Sequence, residues 1–430
     1  MTGGPGERYP VTGPIGRELA EELDSADPLA GLRDQFVNSE PAMIYLDGNS
    51  LGRLPAATPA FLDRVVREGW GTGLVRSWHT WIDWANRLGD RLAEHVLGAR
   101  PGEVVVSDST SVNLFKLASA ALDANPKRRT IVIDAEDFPT NRYIMQGLAD
   151  SRGLSVRTIR SDMDNGLEPA DLRAALDDDV ALVVLSLVAY RCGALMDMGT
   201  VNDMARRAGA FVLWDVSHAA GVVPIDLDAA GADLAVGCTY KYLNGGPGSP
   251  AFLYVRRELH SVLRQPIWGW FGQRDQFDMG VAYDPVERIE RFLVSTPPLL
   301  SLAAIDPALT LIEEAGVDRL RDKGMRLTRL VAALGEQWLV PLGFRLASPA
   351  DPRVRGSHVS FEHPDAWRIC RALATTGGVV CDYRMPDRLR IGPSPAYTSF
   401  VDVWDAMDRI RETVARGDHE HLPHARAQVT

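Results

Sequence analysis

The sequence predicts an α/β fold, a mainly parallel sheet sandwiched by helices, with a smaller C-terminal α+β domain. Three observations carry this reading. From Pro101 onward, short apolar runs alternate with helix-period segments, the pattern of βαβ units. Runs such as Ala210 to Trp214 are apolar at every position, as expected where helices cover both faces of a parallel sheet. After about Pro297 the alternation gives way to long helical stretches and a few short strands.

In chain order, strands are expected at Glu103 to Val106, Thr130 to Asp134, Ser155 to Ile159, Ala181 to Ser186, Ala210 to Asp215, Asp233 to Gly237 and Ala251 to Val255. Helices are expected at Val112 to Ala121, Thr140 to Ala149, Pro169 to Leu176 and Val201 to Ala208, each opening near a Ser, Thr, Asn or Pro start signal. The second unit should hold helices at Leu300 to Ala315 and Val317 to Trp338, and strands at His358 to Phe361, Val379 to Asp382 and Leu389 to Ile391. A helix at Phe400 to Ala415 should close it. Ahead of the sheet, the turn-rich Tyr45 to Gly52 and the helical Pro55 to Trp70 read as an arm packed on the large domain. The expected division is an arm over 1–60, a large domain over 61–297 and a small domain over 298–430, with a polar tail from Gly417 to Thr430 that frays.

A chain of 430 residues fits this division. Hydrophobic residues at 46% and charged residues at 24% exclude disordered and coiled-coil classes. Lys plus Arg number 46 against 57 for Asp plus Glu, a net charge of -11, which argues against a nucleic-acid face. The longest apolar run, Val180 to Tyr190, is too short for a bilayer span, and Met1 to Pro10 lacks a basic region followed by an apolar one. Cys192, Cys238, Cys370 and Cys381 lie far apart, without metal-ligand spacing or disulfide density, so no metal and a reducing cytoplasm are expected.

Asp215 ends one expected strand and Lys241 lies just beyond the next, both facing the crevice where open parallel sheets bind ligands. An Asp favours the protonated form of a pyridine nitrogen, and a Lys amine forms a Schiff base with an aldehyde. Together they suit pyridoxal phosphate. The pair alone equally fits a helix-capping Asp and a surface lysine. Lys241 is flanked by Tyr240 and Tyr242 and followed by a glycine-rich stretch through Gly248, which lets backbone approach a ligand. Thr110 and Ser111 open a helix after a strand, where free N–H groups and hydroxyls can hold a phosphate or simply cap the helix.

Around these residues the sequence resembles the kynureninase family, pyridoxal-phosphate enzymes of fold type I in the class-V aminotransferase group. The resemblance runs from about Ile44 to Phe400. It rests on Tyr45 to Gly52, Leu74 to Trp78, Ser111 to Leu114, Asp137 to Thr140, Asp215 to His218, Tyr240 to Asn244, Gly269 to Gly272 and Arg390. It implies that Lys241 carries the cofactor and shuttles the Cα proton, that Asp215 pairs with the ring nitrogen, and that His218 lies beside it. Phe138 would stack on the ring. Thr110, Ser111, Thr140, Asn141, Ser186 and Tyr240 would contact the cofactor, mostly around the phosphate. Arg390 would fork the substrate carboxylate, its alternative being an ion pair, and Asn49, Trp78, Ser295 and Thr296 would line the substrate pocket. Trp78 equally fits packing against Trp81 and Trp84, and Ser295 and Thr296 equally fit capping of the helix that follows. Trp270 and Thr296 would come from the partner subunit, which implies a homodimer.

The implied reaction is hydrolysis of L-kynurenine, or of a ring-substituted relative such as 3-hydroxykynurenine, to an anthranilate and L-alanine, in tryptophan catabolism and NAD biosynthesis. Tyr240 is a candidate for proton transfer, with a structural phosphate contact as its alternative. Two positions depart from the family pattern. Gln273 replaces a usual His, and Asn141 stands where relatives often carry an Asp, leaving Asp215 to act without a second carboxylate. The alternatives are another class-V reaction, transamination or desulfuration, or a dimer of this fold without turnover. Desulfuration needs a cysteine on a mobile loop, whereas Cys238 and Cys381 read as buried packing residues.

Overall fold

The computed structural model describes residues 13–423; Met1 to Pro10 and the end of the polar tail, 424–430, lie outside them. Strands are numbered from β1 (Ile44–Tyr45) in the arm. The central sheet holds β2 (Val104–Val106), β3 (Thr130–Asp134), β4 (Ser155–Ile159), β5 (Val180–Ser186), β6 (Phe211–Asp215), β7 (Leu234–Gly237) and β8 (Phe252–Val255). Their order is β2-β8-β7-β6-β5-β3-β4. Pairings from β4 through β7 are parallel, and β8 runs antiparallel to both neighbours. The expected strands match to within a residue or two, because each is a short run that is buried on both faces, as β6 and β5 nearly are. Edge strand β4 is the partly exposed exception.

The helix expected from Val112 starts earlier, at Thr110, because Ser109 caps it by accepting the Val112 N–H at 3.3 Å. The helix after β3 starts at Pro139, and those at 169–175 and 198–208 lie where expected. The helix Leu299–Ala315 buries Leu302, Ile305, Leu309 and Ile312 in the same core as the central sheet. Beyond that helix the chain first enters the second core at Leu327.

That second core lies against an antiparallel sheet ordered β12-β13-β10-β9, made of β9 (Arg345–Leu346), β10 (Val359–Glu362), β12 (Asp382–Arg384) and β13 (Arg388–Ile391). The single strand expected at Val379 to Asp382 is split. Val379–Val380 forms β11 and pairs in parallel with β1 of the arm, while Asp382 turns to pair with Arg390. The arm therefore does not pack on the large unit alone. Ile15, Ala20, Ile44 and Leu46 enter the second core, and Leu29 and Phe36 enter the first. The tail is held as far as Pro423, with His419 buried and Arg368 Nε donating to the Leu422 carbonyl at 3.0 Å. No helix among the described residues is long and apolar enough to cross a membrane.

Beyond β1 the arm runs as a strap across the molecule. Gly392 N–H donates to the Leu46 carbonyl at 2.7 Å, and Gly52 N–H donates to the Tyr240 carbonyl at 2.8 Å. The second contact needs a glycine, since a Cβ at position 52 would stand 2.3 Å from the Lys241 carbonyl oxygen and 2.8 Å from the Asn244 Cα. Gly52→Ala should cost about 1–3 kcal/mol of stability, the usual range for overpacking. Chemical denaturation of the purified protein checks this, and an unchanged midpoint would contradict the close approach.

Candidate active site

Parallel strands deliver their last residues to one edge of the sheet, and Asp215 on β6 stands in register with Ser186 on β5. Asp215 is 8% exposed. Its Oδ1 accepts the Ser217 N–H at 2.9 Å, and its Oδ2 accepts Asn141 Nδ2 at 3.1 Å. Asn141 Nδ2 also donates to Asp137 Oδ2 at 3.3 Å. Asp137 Oδ1 accepts the Phe138 N–H at 2.7 Å and Ser186 Oγ at 2.5 Å. Ser186 is thus engaged with Asp137 rather than directed at a phosphate. Burial, followed by repulsion from Asp215, pushes Asp137 up to about 7. The expectation that Asp215 acts without a second carboxylate is corrected here: Asp137 supplies one through the Asn141 amide.

Lys241 lies in the turn after β7, which is pinned by Gly245 N–H to the Thr239 carbonyl at 2.8 Å and by Thr239 Oγ1 to the Pro250 carbonyl at 2.7 Å. Its amine meets His218 Nε2 at 3.0 Å, and among the described residues it has no carboxylate in an ion pair. Burial holds the Lys241 ammonium below its ordinary range, with Asp215 opposing the shift. His218 is pushed well below its ordinary value by burial and by Lys241. His358, at the start of the second sheet, packs its ring 5.8 Å from that of His218, and both its nitrogens lack partners. Burial keeps it neutral as well. Burial likewise raises the Tyr240 phenol, which therefore stays protonated at neutral pH.

Phe138 leaves 41% of its surface exposed and meets Tyr190 edge-on at 5.4 Å, so one ring face is open for stacking. Thr140 and Asn141 occupy the first turn of the helix that Phe138 precedes. Thr110 and Ser111 are the first residues of their helix, where N–H groups point out of the helix end.

Arg390 is 1% exposed and is not a free fork. Its Nε donates to Asp382 Oδ1 at 2.7 Å and its Nη2 to Asp382 Oδ2 at 2.5 Å, a bidentate pair fixed by the β12–β13 register. Nη1 donates to the Tyr190 carbonyl at 2.6 Å, and Nη2 also meets Ser50 Oγ at 3.0 Å. The Asn49 amide, turned with its oxygen toward the guanidinium, accepts from Nε at 2.7 Å. Arg384 reaches the same Asp382 at 2.7 Å, remains partly exposed, and has an unpaired Nε. Asp382 is driven up by burial, yet the two guanidiniums outweigh that and hold it below its ordinary value. Asp47, with no guanidinium of its own, is pushed up to about 7 by burial and by Asp382.

The remaining expected residues lie apart from this cluster. Trp78 is half-buried and packs edge-on against Trp81 at 6.0 Å. Trp270 is 42% exposed, and its ring neighbours are Phe271 and Phe277 of its own loop. Ser295 and Thr296 are exposed, and the following helix has Pro298 as its N-cap with no side-chain cap. Gln273 Oε1 accepts the Asp284 N–H at 2.7 Å and so ties its own loop together. Asp137, His358, Asp382 and Arg384 were not singled out from the sequence. Asp137 opened a quoted motif, but the others carried no local signal.

Pyridoxal 5′-phosphate fits these residues. They offer an amine whose proton burial makes easier to lose, an anchored carboxylate at the neighbouring strand end, an aromatic face, and a helix N-terminus with two hydroxyls. The fold and the site define a pyridoxal-phosphate-dependent enzyme of fold type I. The structure is similar to an apo cysteine desulfurase from Thermococcus onnurineus NA1, with a TM-score of 0.74 and 19% identity over 92% of this chain and 98% of that one. It is also similar to the cysteine desulfurase CsdA from Escherichia coli, with a TM-score of 0.76 and 16% identity over 90% and 98%. A C-DES variant with glycine covalently linked to its pyridoxal phosphate gives 0.76 at 18% identity over 89% and 98%.

In sequence, residues 320–410 match the kynureninase C-terminal domain model. The chain is 45% identical over 402 residues to a kynureninase of Pseudomonas fluorescens, covering 92% of this chain and 94% of that one. It is 45% identical over 405 residues to one of Burkholderia pseudomallei strain K96243, covering 92% and 95%. The chain belongs to the kynureninase family.

The depressed Lys241 value has a stability consequence of definite sign. The unfolded chain binds the lysine proton more tightly than the folded one, so the penalty is absent above about 10.5 and grows as pH falls through the window below it. The apo form of Lys241→Met should therefore melt above the wild-type apoprotein at neutral pH, the gap closing toward pH 10.5. Scanning calorimetry across that range checks it.

Proposed function

We infer that this protein hydrolyses L-kynurenine or a ring-substituted kynurenine to an anthranilate and L-alanine. The observation that carries this reading is the conjunction of the Lys241–His218 and Asp215–Asn141 pairs with the buried Arg390 cluster, in a chain of this family. When bound at Lys241, pyridoxal phosphate supplies an aldehyde for the substrate amine and a ring that accepts the electrons released as bonds to Cα and Cβ break. Asp215 would hold the proton on the ring nitrogen. Phe138 would stack on the ring, and Thr110 and Ser111 would hold the phosphate at their helix end.

Arg390, with the partly exposed Arg384 beside it, would bind the substrate carboxylate, and Asp382 keeps both guanidiniums in place. Lys241, whose amine burial makes easier to deprotonate, would take the Cα proton. Water adds to the γ-carbonyl of the substrate, and cleavage of the Cβ–Cγ bond releases the anthranilate. The Tyr240 phenol, held in its protonated form, supplies the proton at Cβ that completes alanine. Desulfuration finds no support, because all four cysteines are buried and burial pushes Cys192 up to about 11.

A homodimer belongs to the same proposal. Trp70, Leu74, Val75, Trp268, Phe277 and Met279 are large apolar residues with more than half their surface exposed, and Trp270 lies among them in sequence. A second copy of the chain would cover them and bring the partner's Trp270 and the partner's Thr296 to each site. A cytoplasmic location suits the four free thiols.

Purified holoenzyme should release an anthranilate and alanine from kynurenine, and release of neither from any ring-substituted kynurenine would sink the reading. Comparing kcat/KM for kynurenine and 3-hydroxykynurenine shows which ring the pocket is built for. Arg390→Lys should lower kcat/KM about 10- to 100-fold, since an ammonium cannot reproduce the fork. Mixing inactive Lys241→Ala and Trp270→Ala chains should restore about one quarter of wild-type activity, the share expected when half the dimers are mixed and each has one intact site. No recovery would place Trp270 outside the shared site.

A further inference from the structure

The Asn141 side-chain amide spends both of its N–H groups on carboxylates, Asp215 at 3.1 Å and Asp137 at 3.3 Å. An amide in that position is fixed in orientation, because turning it over would set its carbonyl against two acceptors. Asp137 is fixed in turn by Ser186 Oγ at 2.5 Å and the Phe138 N–H at 2.7 Å. Each link stands on a rigid element: Ser186 and Asp215 on neighbouring strand ends, Asn141 in the first turn of a helix. Asp137, Asn141 and Asp215 are all buried. A buried carboxylate that repels Asp215 and is bridged to it by one amide costs stability unless a cation relieves it.

We propose that Asp137 is a positioning residue of the cofactor site, holding Oδ2 of Asp215 toward the ring nitrogen of pyridoxal phosphate through Asn141. The proposal rests on the reading that Asp215 faces the ring nitrogen, and the test separates the two.

Wild-type, Asp137→Ala and Asp137→Asn apoproteins are titrated with pyridoxal phosphate and with its analogue bearing carbon in place of the ring nitrogen. Binding is read from the absorbance of the lysine-linked ligand. Asp137→Asn keeps the shape of the side chain and so serves where the alanine variant does not fold. The expected result is about tenfold weaker binding of pyridoxal phosphate in both variants, with the carbon analogue unaffected, as the loss of one charge-assisted contact predicts. Unchanged affinity for pyridoxal phosphate, or an equal loss for both ligands, overturns the proposal. A wild-type protein that binds the two ligands equally well overturns the underlying placement of Asp215 instead.

Discussion

The strap from Leu46 to Gly52 is the contact on which the site depends. At one end it is bonded to Gly392, two residues beyond Arg390; at the other it is bonded to the Tyr240 carbonyl, next to Lys241. Between these ends Asn49 and Ser50 touch the Arg390 guanidinium directly. The Arg390 guanidinium and the Lys241 amine flank different cores, and this extended segment ties them together alongside the Arg390 bond to the Tyr190 carbonyl and the Tyr242 hydroxyl bond to the Ser357 carbonyl. A side chain at position 52 or 392 would separate it from its neighbours, since a Cβ at 392 would fall 1.7 Å from Asn49 Oδ1.

Around the strap, burial is used in two opposite ways. At Lys241, His218 and His358 it disfavours charge, lowering the proton affinity of the amine and keeping the two imidazoles neutral. At Arg390, Arg384 and Asp382 charge is retained because each ion has an oppositely charged partner within hydrogen-bond distance. The first arrangement is the kind that suits a nucleophile or base. The second holds its guanidiniums so that they cannot swing away. Both cost stability relative to an apolar interior, and the fully buried strands β5 to β8 offset that cost.

Most of the fold was legible along the chain. Both-face burial marks the central strands, and start signals mark the helices, with Ser109 and Pro139 moving two boundaries only slightly. Val379 to Asp382 misled because a continuous apolar run carries no mark of where its partner changes; the arm claims one half and β13 the other. The site was legible where chemistry is local. Lys241, Asp215 and Phe138 stand in short motifs with flanking residues that fit their roles. Trp270, Ser295 and Thr296 are exposed, and no contact in the chain ties them to the Lys241 cluster among the described residues.

By itself, then, the sequence determined the alternation of strands and helices, the family, and which strand ends carry an amine and a carboxylate. These follow from periodicity and from residue types a few positions apart. Only the tertiary structure decided that Arg390 is held by Asp382, that Ser50 reaches Asp382 from 332 positions away, and that Asp137 stands behind Asn141 to supply a second carboxylate. The reason is physical. Which charges meet depends on strand register and on the path of the arm, and both are settled by burial of whole elements rather than by the residues that end up in contact.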